Sequence, residues 1–444
     1  MRHAYPQDLA QFVRDRWPPA GRGPDEHGVL AAGPADPLPA APALEELLSI
    51  CYQASLLREE ERPIRFRLLL REPGGFSPAQ GPPTGLHRLL FTQPRPLNEH
   101  ELRRLAPAVD FYRCLLGVRM EPERGGQIWG VLSSGPRWLQ AVQGGRRVFS
   151  SLPPSVVVRV TGPGRVAVCQ GLATIAALAS GRVTDPRMDV FDSRRLLESF
   201  AAIRAELLVL HQAARAKAGT PWATLDPEFS RILGQQVVRR LISLMRTLHH
   251  GGIILFLPPD AAAECLAAGK YVTLKYTFVE EEPRQRFRTL IVEVMNALAE
   301  AYGQEGDPQR VVGWTEYVAT HTDEVVRLDE ALFEVAHLIA SFSAVDGAVV
   351  LTKGFEVLGF GGEISGALAA VPTVARALDV EGEQLELEST AGVGTRHRSV
   401  YRLCQALHEA LAIVVSQDGT VRFVQWQHGA VTYWEQVATS VLDI

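Results

Sequence analysis

Hydrophobic and polar positions alternate with different periods in different parts of this chain, and the changes of period divide it. Residues 8–17 form a short helical pattern, and residues 18–42 then lose all periodicity and become rich in Pro, Gly and Ala, as an extended arm does. Residues 45–59 read as a helix. Residues 63–71 read as a strand, with Ile64, Phe66 and Leu68 on one face and Arg65 and Arg67 on the other. Further strands are predicted at 89–91, 127–132 and 156–160, a helix at 99–109, a surface loop at 74–83 and a hairpin-like turn at Gly144-Gly145. No catalytic spacing occurs in this first region.

From Ser193 the period lengthens. Leu196, Phe200, Ile203, Leu207 and Leu210 form one apolar seam, which over little more than two heptads predicts a packed helix rather than a coiled coil. Residues 229–248 are a second amphipathic helix that Gly251-Gly252 ends. The continuous apolar run 253–257 predicts a buried strand, and residues 287–302 and 328–342 supply more helix. The last hundred residues are the most regular. Strands are expected at 348–351 and 355–360 around Lys353-Gly354, a helix at 399–410 and a buried strand at 411–415. Gln417-Asp418-Gly419 then turns into strands at 421–426 and 431–434. The expected fold is α/β (α+β): a C-terminal mixed sheet surrounded by helices, preceded by a smaller α/β domain. The expected divisions are an arm at 1–43, a first domain at 44–225 and a second at 226–444.

Composition narrows the function classes. The 444 residues are 46% hydrophobic and carry a formal net charge of −5, so no global basic field draws the chain to nucleic acid or anionic lipid. The first residues carry charges where a signal peptide needs an apolar stretch, and the longest apolar run, 166–181, is too short and too weak to span a bilayer. Five cysteines lie scattered without paired spacing, which excludes a C-x-x-C site and fits reduced thiols in a cytoplasm.

Two short motifs carry candidate chemistry. Asp346-Gly347-Ala348 falls where a helix gives way to a strand, and Gly392-Val393-Gly394-Thr395-Arg396-His397-Arg398-Ser399 falls immediately before a helix. In the second, Gly392 and Gly394 let the backbone approach a ligand, the helix N-terminus offers N–H groups to an anion, and Arg396 and Arg398 can fork around phosphate oxygens. In the first, Asp346 offers the carboxylate that a hard divalent cation takes, and the same group can favour deprotonation of an attacking hydroxyl. Alone, Asp-Gly is a commonplace turn and Arg-His-Arg a solvated basic turn. The pair is more discriminating than either half.

Taken together, Asp346-Gly347-Ala348 and Gly394-Thr395-Arg396-His397-Arg398, with Ile413-Val414-Val415-Ser416 downstream, resemble the signature of the diadenylate cyclase domain. The resemblance implies an ATP-dependent nucleotidyltransferase that joins two ATP molecules into cyclic di-AMP and releases pyrophosphate. It implies Asp346 as metal ligand and activator of the hydroxyl, with Mg²⁺, Mn²⁺ or Co²⁺. It further implies Arg396, His397 and Arg398 as the groups neutralising phosphate, and Gly347, Ala348, Gly394, Thr395, Ser399 and Ser416 as nucleotide contacts. Each site in that family holds half the reactants, so a homodimer or larger assembly with facing domains is expected. The alternative is a catalytically inactive module that binds ATP or a cyclic dinucleotide.

This chain departs from the family in its longer sequence before Asp346 and between the motifs, and in Val345 where some relatives have histidine; the strand-end acidic groups that help bind metal in others correspond here to Gln417 or Asp418. The N-terminal half resembles the DACNV-type sensor regions attached to some members, with a ligand the sequence does not name.

Other candidates are weak. His249-His250 reads as a helix-end dipole partner, and His337 as a packed histidine. Gly269-Lys270 lacks the upstream glycine of a P-loop, and Gly359-Phe360-Gly361-Gly362 has no dinucleotide-binding continuation. Tyr112, Trp129 and Trp138 read as ordinary packing.

Overall fold

The computed structural model describes residues 3–17, 36–81, 85–121, 124–134, 152–171, 173–179, 181–184, 189–248, 250–303, 310–417 and 419–436. Residues 1–2 and 18–35 of the predicted arm, Gly144-Gly145, Trp138, His249 and Asp418 lie outside the described residues. The chain divides into two compact units, Met1–Arg187 with Ser440–Ile444, and Met188–Thr439.

The first unit has helices α1 (Pro6–Arg16), α2 (Ala41–Ser55) and α3 (Glu99–Leu105). Its strands are β1 (Phe66–Leu70), β2 (His87–Pro96), β3 (Cys114–Glu121), β4 (Gly125–Ser133), β5 (Val156–Gly162), β6 (Arg165–Gln170), β7 (Ala173–Ala179) and β8 (Arg182–Thr184). They form one eight-stranded sheet in the order β8-β7-β6-β5-β1-β3-β4-β2, in which β1 and β3 run parallel and the other neighbours antiparallel. Phe66 and Leu68 pack with the helices on one face, while Leu69, Trp129 and Val157 form a smaller core on the other. The apolar run 166–181 proves to be two neighbouring strands, β6 and β7, joined at Gly171. Trp129 is buried and donates its indole N–H to the Arg71 carbonyl at 2.8 Å, as ordinary packing requires.

The second unit contains α4 (Ala201–Lys217), α5 (Phe229–Thr247), β9 (Gly252–Leu257), β10 (Val272–Thr273), β11 (Tyr276–Thr277), α6 (Glu281–Gly303) and α7 (Asp323–Phe342). After these come β12 (Ala348–Thr352), β13 (Val357–Ile364), β14 (Thr373–Ala377), β15 (Leu385–Ser389), α8 (Thr395–Ala406), β16 (Leu411–Val415), β17 (Val421–Gln427) and β18 (Ala430–Gln436). The sheet runs β10-β13-β12-β9-β16-β17-β18-β14-β15, and β11 also pairs with β13. Parallel β9 and β12 lie at its centre, with Ile253 opposite Ala348, and β16 flanks β9 antiparallel with Val415 opposite Gly252. This is the expected mixed sheet among helices.

The continuous apolar run of β9 exists because both of its faces are covered. Ile254 and Phe256 enter the core beneath α4–α7, while Ile253, Leu255 and Leu257 enter a second core beneath α8. Strands β12 and β16 split their side chains in the same way, so the centre of the sheet is held from two sides.

Three expectations are corrected. The apolar seam from Leu196 to Leu210 does pack, but in the core of the second unit, so the compact units divide at 187/188 rather than at 225/226. Its helix breaks at Phe200, and Leu210 stays 41% exposed. His337 is exposed rather than packed: it lies off the buried stripe of Leu332, Ala336 and Ile339.

Candidate functional site

The strand directions bring the two motifs together. Asp346 and Gly347 precede β12, Gly251 precedes the parallel β9, and Ser416 follows the antiparallel β16, so all reach the same end of the sheet. The N-terminus of α8 lies at that end too, because Arg396 Nη1 donates to the His250 carbonyl at 2.9 Å. Its Nη2 stands 3.8 Å from Asp346 Oδ1. Residues fifty positions apart in the chain thus face one another.

The two halves differ in how tightly they are held. Gly347 has φ +120°, and a Cβ there would stand 2.6 Å from the Gly361 carbonyl carbon and 2.8 Å from the Gly362 nitrogen of β13. Only glycine meets both conditions. Ala348 starts β12 and is buried, so its methyl belongs to the core beneath α8. Asp346 itself is 99% exposed on its side chain. The turn therefore fixes the backbone and leaves the carboxylate in solvent.

In the second motif, Gly394 is the N-cap of α8, and no side chain caps that helix. A Cβ at Gly392 or Gly394 would meet nothing within 4 Å, so the loop has open space in front of it. Thr395 and Arg398 are exposed, and Arg398 forms no ion pair among the described residues. His397 Nε2 lies 3.5 Å from Ser416 Oγ, bringing Ser416 to the helix end. Ser399 is turned back into the helix, donating to the Thr395 carbonyl at 3.0 Å. Its hydroxyl proton is thus engaged within α8. The uncapped N–H groups, with two arginines in the first turn, make an anion-receptive end.

Three contributors were not singled out from sequence. The His250 carbonyl anchors Arg396, and Gly251 at φ +68° makes room for it: a Cβ there would stand 3.1 Å from Arg396 Nη1 and 2.6 Å from the Val415 oxygen. The only sequence signal was the glycine pair that ends α5. Lys275, beside β11, pairs with Glu363 of β13 at 2.7 Å. Glu363 chiefly, with a smaller contribution from Asp346, holds the Lys275 ammonium above its ordinary range. The segment read as an insertion between the motifs accordingly builds the wall behind Gly347.

Asp346 suits a divalent cation only as a single ligand. No group of three or more His, Cys, Asp or Glu able to hold a metal occurs among the described residues. That donor set fits a Mg²⁺-like ion arriving with nucleotide phosphates, since such ions commonly keep their waters and take one or two carboxylates. It does not fit a closed protein cage.

Comparison with known families gives a match in the first unit. Residues 33–133 match the family described as "Probable sensor domain DACNV". The matched stretch covers α2, α3 and strands β1–β4 of the first unit. No match to a cyclase domain accompanies it, and no curated protein matches the chain. No helix among the described residues is long and apolar enough to cross a membrane.

Proposed function

We propose that the second unit is a diadenylate cyclase, condensing two ATP into cyclic di-AMP and pyrophosphate under the control of the sensor region. The observation that carries this reading is the meeting of Asp346 and Arg396 at one end of the central strands, 3.8 Å apart. The DACNV-type match supports it independently, since sensors of that type accompany such cyclases.

The side chains have distinct tasks in this reading. The N-terminus of α8, with Thr395 and Gly394, receives a phosphate, and Arg396 and Arg398 neutralise it. Arg396 is oriented by the His250 carbonyl and by Asp346, so one edge of its guanidinium is already committed. His397 and Ser416 line the adjacent strand end. Asp346 accepts the proton of the attacking 3′-hydroxyl, whose oxygen bonds to the α-phosphorus of the second ATP as pyrophosphate departs. A divalent ion held by Asp346 and the phosphates supplies charge neutralisation when bound. Two such transfers close the ring, and they require two sites facing one another. The cyclase is therefore active as a dimer or larger assembly.

One observation favours a second reading, a nucleotide-binding module without turnover: no group of three or more His, Cys, Asp or Glu able to hold a metal forms around Asp346 among the described residues. Incubating the full-length protein with ATP and Mg²⁺, Mn²⁺ or Co²⁺ decides between them. The cyclase releases cyclic di-AMP and pyrophosphate. ATP binding without product under all three metals, by an intact dimer, leaves the module.

A further inference from the structure

The opposite end of the same sheet holds a second feature. Strands β9 and β12 finish there at Leu257 and Thr352, just before Pro258 and Lys353, β16 begins there after Ala410, and β17 ends there at Gln425–Gln427. With five or six residues per strand, this end lies about 17 Å from Asp346 at ~3.3 Å per residue. A cleft of about 410 Å³ crosses these strand ends and is closed on one side by the helix Arg194–Ser199. That volume suits a small organic ligand.

Its walls carry three kinds of chemistry. Lys353 and Arg195 are the cations, and neither forms an ion pair or side-chain hydrogen bond among the described residues. Burial pushes the Lys353 ammonium below its ordinary range, and the field of Glu409 offsets this only in part. A lysine so placed is improved by an anion and gains little from the solvent it has lost. The second kind is aromatic. His408 stacks flat on Trp426, with centroids 4.1 Å apart and 2° between the planes; both residues line the cleft and the imidazole is exposed. The third is a pair of rim carboxylates, Glu198 and Glu409, which repel a bare polyanion but accept hydrogen bonds from sugar hydroxyls.

We propose that this cleft binds a nucleoside monophosphate: its phosphate against Lys353 and Arg195, its base on the outer face of His408, and its ribose hydroxyls toward Glu198 or Glu409. Each element of the ligand answers one kind of wall, and an inorganic anion answers only the first. The site also has a mechanical connection. Gln427 Nε2 donates to the Glu381 carbonyl at 2.6 Å, and the Glu381 carboxylate accepts from the Arg194 backbone N–H at 3.1 Å. Occupancy therefore bears on the start of the helix that closes the cleft. The inference stands whether or not the second unit is a cyclase.

The test uses full-length protein and 8-azido-AMP as a photoreactive probe, with the labelled peptides mapped by mass spectrometry. Label is expected on the segment from His408 to Gln427. Lys353→Met keeps the aliphatic stem and is expected to reduce that label about tenfold, with excess AMP competing and adenosine competing far less. Arg195→Gln, at an exposed position, is the second variant and is expected to reduce it about threefold. Label confined to the segments around Asp346 and Gly394, or no label at all, overturns the proposal. So does label on the His408 segment that both variants leave unchanged, or that adenosine displaces as well as AMP does.

Discussion

The two halves of the candidate site solve opposite problems. At Gly347 the backbone sits at φ +120° with β13 pressed against it, leaving no room for a side chain. At Gly394 nothing stands within 4 Å of a would-be Cβ. Both positions are glycine, for different reasons: the first is required by the fold, and the second leaves space for whatever approaches α8. The same contrast separates the charged groups. Arg396 is tied to the His250 carbonyl, whereas the Asp346 side chain is 99% exposed and stands 3.8 Å from Arg396.

Substitutions break that contrast in order of severity. Gly347→Val is expected to cost at least about 3 kcal/mol of stability, through backbone strain and overpacking against Gly361-Gly362, and to remove product with it. Chemical denaturation measures the first effect, and a variant as stable as wild type would show that β13 yields easily. Asp346→Asn acts in the reverse way. Cyclic di-AMP formation should fall to background while the thermal midpoint stays at the wild-type value, since the carboxylate is in solvent. Gly394→Ala sharpens the comparison from the other side: unchanged stability with ATP affinity about tenfold weaker, read by calorimetry, because a methyl would occupy the approach to the helix end. Ser416→Ala is the mildest. A loss of about threefold in ATP affinity is expected, in keeping with a hydroxyl that meets His397 only at 3.5 Å.

How much of this was legible in the sequence follows from where each signal is written. The buried strand β9 was readable because both of its faces are covered, which leaves an unbroken apolar run. The β17–β18 hairpin was readable from the glycine turns and flanking apolar residues. The pair β14 and β15 was not. The stretch before it is built of small residues, and Leu385-Glu386-Leu387-Glu388 lies at a sheet edge with Leu387 71% exposed, so alternation there does not report a core face. The apolar seam from Leu196 to Leu210 showed that a helix packs, but periodicity does not say against what. Its core lies in the second unit, which moves the boundary.

The site divides along the same line. Both motif halves were visible because their chemistry is local: a glycine turn with a carboxylate, and a glycine loop with arginines before a helix. The His250 carbonyl, Gly251 and the Lys275–Glu363 pair were not visible, because their relation to the site exists only after β9, β12 and β13 align. A backbone carbonyl that orients an arginine leaves no residue signature at all.

The central claim is that Asp346 and Arg396 act on one nucleotide as a single site. A double-mutant cycle on metal–ATP affinity, using Asp346→Asn, Arg396→Ala and the double variant, tests it most directly. Residues in contact within one site are expected to be non-additive by at least about 0.5 kcal/mol, with the double variant losing less than the sum of the singles. Strictly additive losses, or a single variant that binds ATP as the wild type does, would contradict the account.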